Sequence, residues 1–377
     1  QTARCGGGLP SHARGPIKRL VAVESMRRIP GRILVIRMRY LGDVLLLQPV
    51  LRALRRTFPS AEIDALVNPG TGVALHAPGC VREIITWPRG QWIQELRTLT
   101  YIRSRRYDWT VDLTGNDRSA MVSIASGARL RAGYHRPKQP WFFWRNRAYN
   151  VRPSHQKQKP HIIRQHLDLL AACGVPPAGM DVHIEPAAAD VAWSAQLLGD
   201  RRDAGAVLHA HLASRDMRKS LPPELVRKVI AGILSRTTAS ITLSHGQGPE
   251  AEHAAACIAG LPRDRITIAN GMSWGQLVAL IAASDVYWGA DTAPMHVAAA
   301  FQKPMLVHFG PSNANHWRPL HDGADALVSP CPCLKSGHWS CPEGASGRCL
   351  TALDSLEILD RLYCLLGNAL PRNRRAQ

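Results

Sequence analysis

The sequence predicts an α/β protein built from two Rossmann-like halves, and three observations carry that prediction. Short β-branched runs alternate with longer helical segments, as parallel strand–helix units require. The alternation stops at a Pro-rich stretch, residues 176–190, and then restarts in the same form. At 377 residues the chain also exceeds what one hydrophobic core usually organises.

In the first half, Ile33-Leu34-Val35-Ile36 reads as a strand buried on both faces, because it is an unbroken apolar run of strand length. A loop ending in Gly42-Asp43 leads into a helix expected from about Val44 to Thr57, closed by Pro59. Residues 63–67, 83–86 and 109–113 read as further strands, with a polar helix near 91–105. Residues 135–160, rich in Pro, Arg and aromatic side chains, read as an irregular excursion before a helix near 161–173. In the second half, strands are expected at 206–209, 240–243, 265–268, 286–288 and 305–308. Helices should lie near 223–235, 250–260, 274–283 and 292–301. The expected division is an extension over 1–28, a first domain over 29–175, a linker over 176–190, a second domain over 191–352, and a C-terminal helix and tail over 353–377. A ligand then belongs between the facing carboxyl ends of the two sheets.

Composition narrows the function classes. No apolar run reaches the roughly eighteen residues of a membrane span, so a soluble or at most peripheral protein is expected. The N-terminal segment lacks the apolar core of a signal peptide. The formal net charge of +19 concentrates anions at the surface. Arg outnumbers Lys, which favours planar, bidentate recognition of phosphate or carboxylate. Nucleic acid would suit the same charge, but no helix-turn-helix, RNP or zinc-finger pattern accompanies it, and no nucleic-acid partner is expected. Arg136, Lys138, Arg145 and Arg147, interleaved with Trp141 and Trp144, suit docking on an anionic membrane. Cys331, Cys333, Cys341 and Cys349, with His338 among them, could close a structural zinc site through four thiolates. Their spacing lacks paired C-x2-C knuckles, and reduced cysteines tethering a loop are the alternative.

Three constellations carry chemistry. Gly42-Asp43-Val44 follows the first strand; Asp43 there serves either as a helix N-cap or as a general base in the cleft. Gly289-Ala290-Asp291-Thr292-Ala293-Pro294-Met295-His296 follows a strand and opens a helix of small residues. Its unpaired N–H groups and dipole suit a diphosphate, with Thr292 donating and Ala293 allowing close approach. His296, one turn on, faces the same ligand or is a satisfied core histidine. Ser214-Arg215-Asp216-Met217-Arg218-Lys219 is a basic loop before a helix, able to neutralise a leaving diphosphate or merely solvated.

The order of these motifs resembles the family-9 glycosyltransferases, the lipopolysaccharide heptosyltransferases, over roughly residues 30–366. Leu41-Gly42-Asp43-Val44 with Pro49 is similar to that family's N-terminal signature, and Asp291-Thr292-Ala293-Pro294-Met295-His296 to its donor-site signature. Gly310-Pro311-Ser312 resembles the segment that follows. Asp112-Leu113-Thr114, Tyr134-His135 and Phe143-Trp144-Arg145 resemble the branch that adds a side-chain heptose to the inner core. The resemblance implies a GT-B fold, an ADP-heptose donor, inversion at the anomeric carbon, and no metal or other cofactor. It implies a phosphorylated lipopolysaccharide inner-core acceptor, met at the cytoplasmic face of the inner membrane.

Carried over to matching positions, Asp43 is the implied base and Lys219 the implied diphosphate ligand. Thr292, Ala293 and His296 are the implied helix-start contacts, and Ser214, Arg215 and Asp291 complete the expected donor set. Glu250 is implied at the ribose and Met272 beside adenine, while Arg118 and Arg145 are expected to meet the acceptor. Two departures stand out. Lys219-Ser220-Leu221-Pro222 replaces the family's Lys-x-Trp-Pro, and Ala210-His211-Leu212 stands where relatives commonly carry Pro-Gly. They leave room for another nucleotide-sugar donor, although neither removes the implied base or the phosphate helix. An inactive scaffold in glycolipid assembly is a separate alternative, and the retention of Asp43, Lys219 and the Asp291–His296 block argues against it.

Overall fold

The computed structural model describes residues 28–75, 79–134, 143–153, 160–331 and 348–369. The first half forms a five-stranded parallel sheet from β1 (Arg32–Arg37), β2 (Glu62–Val67), β3 (Glu83–Thr86), β4 (Trp109–Asp112) and β5 (Leu130–Gly133), in the order β3-β2-β1-β4-β5. The second half forms a six-stranded parallel sheet from β6 (Val207–His211), β7 (Ser240–Ser244), β8 (Ile266–Ala269), β9 (Val286–Ala290), β10 (Met305–Phe309) and β11 (Ala324–Val328). Its order is β11-β10-β9-β6-β7-β8. Each sheet reverses winding at its first strand, the arrangement that opens a crevice at the carboxyl ends.

The apolar run of β1 is needed because helices cover both faces. Ile33 and Val35 point into one core with Leu47, Leu51 and Leu54, while Leu34 and Ile36 point into another with Ile102 and Val122. In the second half, the Pro223–Arg236 helix packs one face together with the C-terminal Ser355–Ala369 helix. Leu359 fits so closely against Gly232 that a Cβ there would lie 2.5 Å from its Cδ2. The C-terminal helix therefore belongs to the second half.

Several expectations change. The single helix from Val44 is two, Leu41–Leu45 and Gln48–Thr57, because the chain bends at Leu46-Leu47 before Pro49. The edge strands β5 and β11 and the Asp117–Ala125 helix escape the sequence reading, since β5 and β11 carry almost no β-branched residues, unlike the edge strands β3 and β8. Within the expected irregular excursion, Phe143–Ala148 is helical and Val151 bridges to Ala132. Residues 1–27, the 370–377 tail, His135, Arg136, Lys138, Trp141, Cys333, His338 and Cys341 lie outside the described residues. Of the cysteine cluster, Cys331 N donates to Ser329 Oγ at 3.2 Å, and Ser329 Oγ donates to the Cys349 carbonyl. Ala188–Leu198, starting inside the Pro-rich stretch, is helical and packs on the Trp274–Ala283 helix of the second half.

The connecting stretch is strapped to the first half. Arg52 donates to the Ala178 and Asp181 carbonyls at 3.0 and 2.7 Å, and Gln48 Oε1 accepts from His183 N at 2.9 Å. His161 Nε2 lies 3.0 Å from the Arg318 carbonyl and His316 Nδ1 2.5 Å from that of Pro160, tying the halves together again. One apolar cluster runs through the junction, from Val35 and Leu45 to Met295 and Val297.

A polar island lies inside the second sheet. His209 Nε2 and His211 Nδ1 sit 2.8 and 2.9 Å from Ser244 Oγ, and His209 stacks on Tyr287. Burial, with a smaller contribution from a neighbouring imidazole, pushes His209 down to about 3 and His211 down to about 4. Both are neutral in the fold, yet each takes a proton near pH 6.5 once the chain unfolds. Over that window the unfolded chain binds more protons, so stability falls as pH falls from about 6.5 towards about 4. The expected slope is about 1.4 kcal/mol per pH unit for each histidine. His211→Asn should remove one share of it in urea unfolding curves, and an unaltered slope would exclude His211 as a source.

Candidate active site

Gly42 and Asp43 stand where β1 ends and the first helix begins, at the carboxyl edge of the first sheet. Asp43 is not the N-cap. Tyr40 holds that position with extended backbone, and Asp43 is the third helical residue. Its Oδ2 reaches back to accept from Tyr40 N at 3.3 Å, as an acidic residue in the first turn does. Its Oδ1 is ion-paired with Arg37, the last residue of β1. The Asp43 side chain stays 14 % exposed, whereas that of Arg37 is 5 % exposed.

Arg37 escapes the sequence reading, although a cation ending an otherwise apolar strand is a visible signal. Burial pulls its guanidinium below the usual arginine range, and Asp43 is the largest influence opposing that. Its second anchor is the Leu113 carbonyl. That carbonyl is presented by a turn which the buried Asp112 carboxylate organises, accepting from Thr114 N at 2.8 Å, Gly115 N at 3.1 Å and the Tyr149 hydroxyl. Burial raises the Asp112 pKa against these hydrogen bonds. Thr114 Oγ1 in turn accepts from Met38 N at 2.8 Å. Asp43 is thus aimed by a relay that starts at the end of β4 and reaches it through Arg37, whose Leu113 anchor lies 76 residues further along the chain.

The opposite wall is the start of the Ala293–Ala300 helix, which follows β9. Thr292 is its N-cap by backbone, and Thr292 Oγ1 donates to the Ala290 carbonyl at 3.4 Å. Pro294 in the first turn needs no N–H partner. His296 is buried, and burial lowers its pKa while Asp291 and Asp43 both raise it. The ring lies 6.4 Å from that of Trp317. The two walls touch: a Cβ on Gly42 would lie 2.9 Å from His296 Cδ2 and 3.1 Å from Ala293 Cα. Only glycine allows this approach.

Lys219 reaches the same region from the short turn Met217–Lys219, pairing with Asp291 Oδ2 at 2.8 Å and donating to the Asp291 carbonyl at 3.3 Å. Asp291 is buried, so its charge is offset chiefly by this lysine. Ser214 is buried and its N–H donates to Ser220 Oγ at 3.1 Å, folding the basic loop back on itself. Arg215 leaves that loop and stacks over Tyr40 of the first half, 5.6 Å from the ring centroid. Glu250 sits in the first turn after β7, its carboxylate accepting from Gly246 N at 2.9 Å. Met272, just past β8, packs with Leu198, Ala269 and Leu280. Ala293 and His296 therefore meet the Gly42-Asp43 turn at the junction, with Thr292 and the Lys219–Asp291 pair next to them, whereas Glu250 and Met272 belong to the neighbouring strand ends β7 and β8. Arg118 is exposed in the first turn of the Asp117–Ala125 helix, on the same sheet edge as Asp43. Arg145 lies in the Phe143–Ala148 helix, but its side chain falls outside the described residues.

Two Rossmann-like sheets facing each other, with a carboxylate on one lip and a small-residue helix start plus lysine on the other, define a glycosyltransferase of the GT-B architecture. Residues 96–346 match glycosyltransferase family 9 (heptosyltransferase), and the chain belongs to that family. It is 24% identical over 305 residues to lipopolysaccharide heptosyltransferase 3 of Escherichia coli strain K12, covering 75% of this chain and 83% of that one. Among solved structures, it resembles the family-9 glycosyl transferase of Veillonella parvula with a TM-score of 0.72 and 19% identity, covering 89% and 97% of the two chains. The ADP-heptose lipopolysaccharide heptosyltransferase II of E. coli matches with a TM-score of 0.69 at 20% identity, covering 89% and 98%.

Arg37→Leu should cost about 3 kcal/mol of stability, because it leaves Asp43 and the Leu113 carbonyl without their buried partner. Arg37→Lys keeps the charge and should recover part of that loss. Equal stability of both variants and wild type in urea unfolding would refute the relay.

Proposed function

We propose that this chain transfers a heptose from ADP-heptose to a phosphorylated lipopolysaccharide inner core, with inversion and without a metal. The observation that carries the reading is the meeting of Gly42-Asp43 with the start of the Ala293–Ala300 helix, where Gly42 has no room for a side chain. Family membership and relatives named as lipopolysaccharide heptosyltransferases support the choice of sugar and acceptor. A structural relative whose name carries ADP-heptose supports the donor.

In this reading Asp43 takes the proton of an acceptor hydroxyl as its oxygen attacks the anomeric carbon. The bond from that carbon to the diphosphate oxygen breaks on the opposite face, and ADP leaves with the electron pair. Lys219 and the helix start at Thr292 and Ala293 stabilise the charge that develops there. Because Lys219 already holds Asp291 at 2.8 Å, it can share itself between that carboxylate and a phosphate without crossing the cleft. His296 is kept neutral by burial and can donate one N–H to the same group. Glu250 and Met272 are assigned to the ribose and adenine, Ser214 and Arg215 to the donor loop, and Arg118 and Arg145 to the acceptor. The acceptor is a glycolipid, so the reading also places the enzyme at a membrane surface, on the cytoplasmic side of the inner membrane.

Asp43→Asn keeps the side-chain volume and is expected to lower turnover by roughly 10²- to 10⁴-fold in a transfer assay. Near-normal turnover in a folded variant would remove Asp43 as base. In a thermal-shift panel, ADP-heptose should raise the melting temperature more than UDP- or GDP-sugars. Selective stabilisation by a non-ADP donor would overturn the donor assignment.

A further inference from the structure

The outer layer of the first domain is apolar where water should favour polar side chains. The Trp92–Ser104 helix buries Ile102 and leans on the core through Leu99, but leaves Trp92 71 %, Ile93 49 % and Leu96 55 % exposed. The Asp117–Ala125 helix packs beside it and exposes Met121 and Ile124. Six of the sixteen large apolar side chains exposed among the described residues, these five and Tyr101, thus fall on two neighbouring helices. Single exposed apolar residues are ordinary, whereas such a concentration marks an interaction surface.

The five other than Tyr101 form one face. At 100° per residue, Trp92, Leu96 and Arg103 share a side of the first helix. Arg103 Nη1 donates to the Ser126 carbonyl at the end of the second helix, so that side is turned towards Met121 and Ile124, themselves three residues apart. Tyr101 points away and is held by Glu83.

Charge and position name the partner. Arg89, Arg97, Arg106, Arg118 and Arg129 are exposed on or beside these helices, in a chain of net charge +19. The acids nearby are Glu83, which is paired with Arg82 and holds Tyr101, Glu95, which accepts from Gly90 N at 2.9 Å, and Asp117. Both helices start at carboxyl ends of strands, β3 and β4, which is the sheet edge that carries Asp43. Trp92, Ile93 and Arg118 therefore lie towards the cleft rim. Of the region first expected to dock, Trp144 packs inward against Ala120, Ala148 and Tyr149, while Arg136, Lys138 and Trp141 lie outside the described residues.

We propose that the paired outer faces of the Trp92–Ser104 and Asp117–Ala125 helices dock on an anionic phospholipid bilayer. Trp92, Ile93, Leu96, Met121 and Ile124 enter the boundary between headgroups and acyl chains, and the surrounding arginines meet lipid phosphates. The orientation rests on the glycolipid reading above: it brings the rim bearing Asp43 close to the plane from which a membrane-anchored acceptor projects.

The test is sedimentation of the full chain with vesicles of phosphatidylcholine, with and without about one third phosphatidylglycerol. Wild type should partition onto the anionic vesicles, less so as salt rises. The triple variant Trp92→Glu, Leu96→Glu, Ile124→Glu should partition about tenfold less or weaker still. A second variant, Arg89→Gln, Arg97→Gln, Arg106→Gln, leaves the apolar face intact and should lose most of the preference for anionic lipid. Unchanged partitioning of both variants overturns the proposal. So does a wild type that self-associates through this face, with the glutamate variant monomeric and equally bound to vesicles. Donor-induced stabilisation of the glutamate variant should match wild type. A wild type without any donor response would instead count against the transfer reading and leave the vesicle result standing.

Discussion

The site depends on how closely two helix starts from separate sheets approach each other. At Gly42 and Ala293 the backbones come near enough that a single added methyl would collide with a ring edge and a Cα. That contact brings a carboxylate fixed to the first sheet within reach of a positive helix end fixed to the second. Each partner owes its direction to its own strand, so the geometry is as rigid as two buried sheets can make it. The apolar cluster that continues through the junction gives the contact its free energy, and the strap from Ala178 to His183 limits how far the halves can separate.

Around that contact, charge is arranged in two facing pairs. Arg37 with Asp43 lies on one lip, and Lys219 with Asp291 on the other. Each pair contains one buried member that would be costly to leave alone, and one more accessible member that can turn towards a ligand. In the first pair the accessible member is the acid, and in the second it is the base. The cleft therefore presents a carboxylate to one side and an ammonium to the other, the polarity that the proposed displacement with an anionic leaving group requires. The supporting turn at Asp112 shows how much structure is spent on aiming one carboxylate.

Much of this was legible in the residues. The motif at Gly42-Asp43 and the block from Asp291 to His296 announce themselves because strand ends and helix starts carry strong local signals: glycine, short polar residues, then small apolar ones. Arg37 went unread although it lies only six positions from Asp43, because nothing local says whether a strand-terminal arginine turns to solvent or into the site. The pairing of Arg215 with Tyr40 was equally hidden, since its two members lie in different halves. Asp43 itself was read as a possible cap, and its real position as the third residue of the helix depends on where the β1–helix connection bends.

The sequence by itself determined the two α/β halves, the buried central strands and the pieces of the candidate site, because unbroken apolar runs, helix starts and Pro-rich joints are local matters. Only the tertiary structure decided which pieces meet. Edge strands β5 and β11 exist because a neighbouring strand offers them hydrogen bonds, not because their composition demands it. The inward turn of Trp144, and the outward display of Trp92, Leu96 and Ile124, follow from which helix faces the core. A charge or an aromatic ring in a chain carries no direction until long-range packing assigns one.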